Sequence, residues 1–159
     1  MTLIMLTAVK HHKIRRATGA FAIIASRYNA RYVDAMVEAA TRELKKAGAK
    51  GIRLVRVPGA FEIPAVASRL AQSSPPFSAL ICLGVILRGQ TTHAQQIADA
   101  VSAGLAQLQI QRALPVIHEV LLLENEAQAV VRCLDKKHNR GAEAARTALE
   151  MARVMASLG

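Results

Sequence analysis

A chain of 159 residues fits one domain and is long enough to bury an apolar core without staples. Hydrophobic residues make up 52% but aromatics only 3%, so the core must be aliphatic, and the two cysteines, Cys82 and Cys133, have neither metal-type spacing nor a disulfide framework. The formal charge of +10 invites anionic partners, yet the basic residues are dispersed and aromatics to stack bases are scarce, which argues against nucleic acid.

A reducing cytosol is the simplest compartment for this cysteine usage. No apolar run approaches the roughly 18 residues of a membrane span. The start, MTLIMLTAVKHHKIRR, places its charges after a short apolar stretch, the reverse of a secretory signal. Residues 1–18 therefore read as a flexible or partner-pairing arm, and 19–159 as the folded domain. Dense basic clusters occur only at KHHKIRR (10–16) and DKKHNR (135–140). His11 and His12 are adjacent and not at a ligand spacing, and no metal cluster stands out.

Phe21 to Ser26 (FAIIAS) is a short run with β-branched residues and predicts a buried strand. From Arg31 to Ala47, Val33, Met36, Val37, Ala40 and Leu44 recur at helical spacing, and Gly48 supplies the stop. Ile52 to Val57 (IRLVRV) alternates apolar and basic residues, the pattern of a strand with a less buried face or edge. Pro58-Gly59 turns the chain, and a helix near Glu62–Ala71 tolerates Pro64 only in its first turn. SSPP (73–76) is a loop.

Ala79 to Leu87 (ALICLGVIL) is the most apolar strand. Thr92 to Leu108 is helical, with Ile97, Val101, Leu105 and Leu108 on one stripe. Pro115 to Leu123 is a fourth strand. Asn125 to about Lys136 and Ala142 to Leu158 read as two helices broken around Asn139-Arg140-Gly141.

Alternating strands and helices predict an α/β layered fold with a parallel sheet. Ligands in such sheets bind beyond the carboxyl ends of the strands. SRYN (26–29), PGAFE (58–62), RGQTTH (88–93) and EN (124–125) all follow strand ends, so they should share one rim. Gly89 permits close backbone approach, and Thr91 or Thr92 is placed to cap a helix whose N–H groups favour phosphate. His93 falls in the first helical turn, where it serves either proton transfer or structure. Glu62 either holds polar ligand groups or complements a helix dipole. Tyr28 either stacks on a planar ring or packs its own turn. Arg132 either pairs with phosphate or is solvated surface.

In this order, VPGAFEIP (57–64), GVILRGQTTH (84–93), ENEAQAVVR (124–132), KHNRGAEAA (137–145) and ALEMA (148–152) resemble the lumazine synthase family. The resemblance covers roughly residues 19–158. It implies a flavodoxin-like three-layer sandwich with a four-stranded parallel sheet. It also implies condensation of 5-amino-6-(ribitylamino)uracil with 3,4-dihydroxy-2-butanone 4-phosphate, giving 6,7-dimethyl-8-ribityllumazine, phosphate and water. This is the penultimate step of riboflavin biosynthesis and uses no cofactor or metal.

By the same resemblance, Tyr28 stacks on the pyrimidine, and Ala60, Phe61 and Glu62 line the ribityl and pyrimidine site. Val85, Ile86 and Leu87 contact the heterocycle. Gln90 and Thr91 hold the phosphate, and His93 transfers protons. Arg132 reaches the phosphate from an adjacent subunit, and His118 stands where the family has an aromatic residue, also across that interface. Replacing that aromatic residue by histidine adds a titratable group, which implies affinity that depends on pH near neutrality. Tyr28 in place of the more usual Phe or Trp keeps the stacking and adds a hydroxyl.

The family forms homopentamers, some of which build icosahedral shells. The link Lys136–Gly141 shows no insertion, which leans towards a shell. The alternatives are a non-catalytic shell or carrier of flavin-like ligands, and, more remotely, a phosphate-binding signalling module of the same fold.

Overall fold

The structure is a computed structural model that describes Lys10, residues 16–17 and residues 19–159. The arm expected at 1–18, with its basic cluster and its histidine pair, falls almost wholly outside the described residues.

Four strands form one parallel sheet: β1 (Ala20–Ser26), β2 (Gly51–Val57), β3 (Ala79–Leu87) and β4 (Val116–Leu123). Their order is β2-β1-β3-β4, the order in which a flavodoxin-like sheet begins. β1 and β3 are central, and both are almost fully buried. Covered on both faces, they need apolar residues at every position, which explains continuous runs rather than alternation. β2 is an edge strand, and its Arg53 and Leu54 are exposed, as its mixed pattern predicts.

Helices cover both faces. α1 (Ala30–Lys46) and α5 (Arg140–Ser157) pack on the face carrying Phe21, Ile23, Ile81 and Leu83. α2 (Ile63–Leu70) and α3 (His93–Arg112) pack on the face carrying Ala22, Ile24, Leu80 and Cys82. This is the α/β three-layer sandwich expected. α1 buries the predicted stripe of Val33, Met36, Val37, Ala40 and Leu44, and α3 buries Val101, Leu105 and Leu108 of its predicted stripe, with Ile97 only partly buried. Gly48 at φ 78° ends α1, with its N–H on the Lys45 carbonyl at 2.9 Å. None of the helices among the described residues is long and apolar enough to cross a membrane.

The segment after β4 departs from the predicted helix of 125–136. Asn125 Oδ1 accepts from the Gln128 N–H at 3.0 Å and caps a single α-helical turn, α4 (Glu126–Ala129). The chain then widens into a π-helical turn, Val130–Leu134, closed by the Asp135 N–H on the Val130 carbonyl at 3.2 Å. Apolar spacing cannot distinguish that one-residue change in hydrogen-bond register from an α-helix. Next, Asn139 caps α5 by accepting from Gly141 N at 2.8 Å and Ala142 N at 3.2 Å, so the helix starts two residues earlier than predicted.

α5 lies close on α1 because it presents Gly141, Ala144, Ala145 and Ala148. At Gly141 an added Cβ would overlap the Met36 backbone. Backbone cannot move aside as a flexible side chain does, so Gly141→Ala should cost about 3 kcal/mol or more. Chemical denaturation should show an earlier midpoint. An unchanged midpoint would mean that α5 shifts freely.

Candidate functional site

The parallel sheet delivers three of its loops to one cavity of about 710 Å³. That size suits a small-molecule ligand. Tyr28 and Asn29 come from the loop after β1, and Gly59, Ala60, Phe61 and Glu62 from the turn after β2. Val85, Ile86 and Leu87 end β3, and His93, Gln96, Ile97 and Ala100 come from α3. Eight of the residues expected from the sequence thus meet here: Tyr28, Ala60, Phe61, Glu62, Val85, Ile86, Leu87 and His93.

Backbone and side-chain bonds fix these walls. Tyr28 N–H donates to the Pro58 carbonyl at 3.2 Å, joining the first loop to the second. Asn29 has a left-handed backbone, φ 56°, and its Nδ2 donates to the Val85 carbonyl at 2.7 Å. This bond ties the Tyr28 turn to the end of β3. Gly59 N–H donates to Glu62 Oε2 at 2.9 Å, closing the turn over the Ala60–Glu62 3₁₀ segment. A Cβ at Gly59 would stand 3.3 Å from the Tyr28 ring, so this glycine makes room for the aromatic wall. Tyr28 and Phe61 are 72% and 61% exposed, which leaves two ring surfaces open to a ligand.

The loop after β3 carries the remaining polar groups. Gln90, Thr91 and His93 are exposed beside the cavity mouth, although Gln90 and Thr91 do not line it. Thr91 Oγ1 accepts weakly from His93 N–H at 3.4 Å, while Thr92 occupies the cap position without a side-chain cap bond. The first turn of α3 therefore keeps N–H groups facing this loop.

Arg88 is turned away from the cavity. Its Nε bonds Glu124 Oε1 at 2.9 Å and its Nη2 bonds Gln95 Oε1 at 2.9 Å. The fourth rim segment, Glu124-Asn125, therefore does not line the cavity as expected. It braces the loop from behind through Arg88.

The other two expected site residues lie elsewhere. Arg132 is exposed in the π-helical turn and forms no ion pair among the described residues. His118 is exposed on β4, bonded to Ser102 on α3 at 2.8 Å. Neither lines the cavity of its own chain.

The region around Arg132 holds an ion-pair cluster that sequence reasoning missed. Arg140 grips the buried Glu119 carboxylate with bonds of 2.8 and 3.1 Å and reaches Glu143 at 2.9 Å. Burial pushes the Glu119 carboxyl up, against the pull of Arg140 and, more weakly, Arg132. Burial alone would lower Arg140, but the two carboxylates outweigh it and keep it raised. The cysteines are no candidates for nucleophiles. Burial pushes the Cys82 thiol to about 12, and burial followed by Glu119 pushes Cys133 to about 11.

A doubly wound sheet with a cavity at its carboxyl rim, one imidazole and a helix N-terminus defines a small-molecule site of the α/β class. The family model for 6,7-dimethyl-8-ribityllumazine synthase matches residues 19–156. A protein of that name from Xanthomonas oryzae pv. oryzae (strain PXO99A) is 42% identical over 144 residues, covering 89% of this chain and 93% of the relative. Its counterpart in Xanthomonas axonopodis pv. citri (strain 306) matches to the same extent. The chain belongs to the 6,7-dimethyl-8-ribityllumazine synthase family.

Asn29→Ala should remove the 2.7 Å bond to Val85 and leave alanine with a left-handed backbone. The two effects together should cost about 2 kcal/mol. Urea unfolding should show the loss, and proteolysis should cut the loop around Tyr28 faster than in wild type. Equal stability and equal protection would mean that the tie does not position this wall.

Proposed function

We propose that this protein condenses 5-amino-6-(ribitylamino)uracil with 3,4-dihydroxy-2-butanone 4-phosphate, releasing 6,7-dimethyl-8-ribityllumazine, phosphate and water. The observation that carries the proposal is the joining of Tyr28, Ala60–Glu62, Val85–Leu87 and His93 in one cavity, within a chain of this family.

Each wall suits one part of that chemistry. The exposed Tyr28 and Phe61 rings flank a planar heterocycle, and the strand-end backbone of β3 offers peptide groups to its edge. Glu62 accepts hydrogen bonds from a polyhydroxyl chain with the oxygen that Gly59 leaves free. The Gln90-Thr91 loop and the first turn of α3 hold the phosphate.

The reaction itself is a series of proton movements. The amine attacks the ketone and water leaves to give an imine, a carbon-bound proton is lost as phosphate departs, and ring closure of the second amine on the remaining carbonyl releases a second water. His93 moves protons at the cavity wall. No covalent nucleophile is required, because holding two substrates together supplies much of the rate.

Arg132 completes the phosphate site from a neighbouring subunit, and His118 closes the heterocycle site in the same way. Their position away from their own chain's cavity supports this reading, as does the absence of an ion pair for Arg132 among the described residues. A site shared in this manner requires an oligomer, for which we propose the family's homopentamer, with further assembly into an icosahedral shell. The compartment is the cytoplasm.

Lumazine formation followed by absorbance tests the reading. His93→Ala should lower kcat by about 10²- to 10⁴-fold. Arg132→Ala should raise KM for the butanone phosphate by about 10- to 100-fold, the loss of a charge-assisted contact. Wild type no faster than buffer, in a folded oligomer, would replace the enzyme by a non-catalytic shell or ligand carrier.

A further inference from the structure

His118 lies on β4, an edge strand. Leu80 N–H reaches the Pro115 carbonyl and Arg88 N–H the Leu123 carbonyl, so the odd-numbered residues of this stretch face β3. Val116 and Val120 therefore point their N–H groups outward, where no further strand pairs among the described residues. Side chains take the missing strand's place. Val116 N–H donates to Gln109 Oε1 at 2.9 Å, and Val120 N–H donates to His118 Nδ1 at 3.1 Å.

The second bond fixes the chemistry of the ring. A peptide nitrogen can only donate, so Nδ1 must accept and carries no proton. The proton of the neutral ring is then on Nε2, which lies 2.8 Å from Ser102 Oγ and donates to it. Protonating Nδ1 would set two N–H groups against each other.

The charged neighbours do not oppose this. Glu119 follows in sequence but faces the other side of the strand, where Arg140 holds it. Asp99, one turn before Ser102 on α3, accepts from Gln95 at 2.8 Å. His118 reaches the surface, but packing of its ring between β4 and α3 removes part of its water and lowers its pKa.

We infer that Ser102 is a positioning residue: together with the Val120 N–H it holds His118 as the neutral Nε2–H imidazole, so that the ring meets the heterocyclic substrate as a flat, uncharged wall. The role towards substrate rests on the shared-site reading above; the hydrogen bonds do not. The pH dependence near neutrality that a free histidine would bring is thereby moved to lower pH. The sign follows from the lowered pKa. The stability tied to the neutral ring is present above the unfolded value near ~6.5 and is lost as pH falls through the folded value.

Solid-state ¹⁵N NMR of the histidine-labelled oligomer reads the tautomer directly, with His118→Phe used to assign the signal. Wild type should show a bare Nδ1 and a protonated Nε2 at neutral pH, and should keep them to lower pH than a free histidine does. Ser102→Ala, which places a good helix former on the exposed side of α3, should free the ring to turn away from the Val120 N–H, and so admit the second tautomer and move the pKa back towards the ordinary value. In the same variant KM for the ribitylaminouracil should rise severalfold between about pH 8 and 6, while wild type stays nearly level. A wild-type His118 that carries a proton on Nδ1 at neutral pH would overturn the inference, whether or not the variant folds. So would a Ser102→Ala spectrum identical to wild type across that range. If wild type shows no turnover, the enzyme reading fails while the spectra still decide the tautomer.

Discussion

β3 is paired to β1 from Ala79 to Leu83 and to β4 from Leu80 to Leu87, and its first eight residues are buried. Such a strand can end only where its ladder ends, and the position of Leu87 is therefore fixed by the sheet rather than by the loop that follows. The walls of the cavity are referred to that end. Val85–Leu87 form part of its lining, and the Val85 carbonyl receives Asn29 Nδ2 at 2.7 Å. Tyr28 in turn bonds Pro58, which carries the tie on to the Ala60–Glu62 turn. On the opposite side Arg88 N–H bonds the Leu123 carbonyl at 2.8 Å, and its guanidinium clamps Glu124 and Gln95. The loop that presents Gln90, Thr91 and His93 is thus held at its base, while its polar tip stays exposed.

The same sheet explains why one chain presents its site residues on two surfaces. The cavity opens at the loops after β1, β2 and β3, whereas His118 and Arg132 belong to β4 and the turn beyond it. β4 is the opposite edge of the sheet from β2. Around Arg132 the charge is organised by Arg140, which engages both Glu119 and Glu143, so the acidic groups are already occupied. Arg132 is left exposed, without an ion pair among the described residues. Under the proposed function, a phosphate held between one copy's helix N-terminus and another copy's arginine would make catalysis and assembly one requirement.

Much of this was legible in the residues because the two periodicities are clean. The run ALICLGVIL marks β3 with its observed ends, and the stripe through Val101, Leu105 and Leu108 marks the buried side of α3. The rim rule correctly grouped the loops carrying Tyr28, Phe61 and His93. What escaped depends on side-chain direction or on register changes too small for a pattern. Arg88, Gln90 and Thr91 are near neighbours, yet Arg88 points to Glu124. Gln96 and Ala100 line the cavity from α3 beside Ile97, which the sequence placed on the buried stripe rather than at a ligand site. Asn29 did carry a signal, since asparagine between a strand and a helix suits a left-handed turn, but its bond to Val85 spans 56 residues. The π-helical turn and the tautomer of His118 are set by single hydrogen bonds, from Asp135 N–H and Val120 N–H, that no spacing reveals.

In the proposed function, His93 and Arg132 of different copies serve one site. The most direct measurement is complementation. His93→Ala and Arg132→Ala chains are produced together, the mixed oligomers are confirmed by mass, and lumazine formation is compared with that of each parent. If the residues act across an interface, random mixing of equal amounts leaves about a quarter of the sites with both wild-type residues, and activity returns to that order. Mixed oligomers no more active than the average of their two parents would contradict a shared site, because each chain would then be building its site alone.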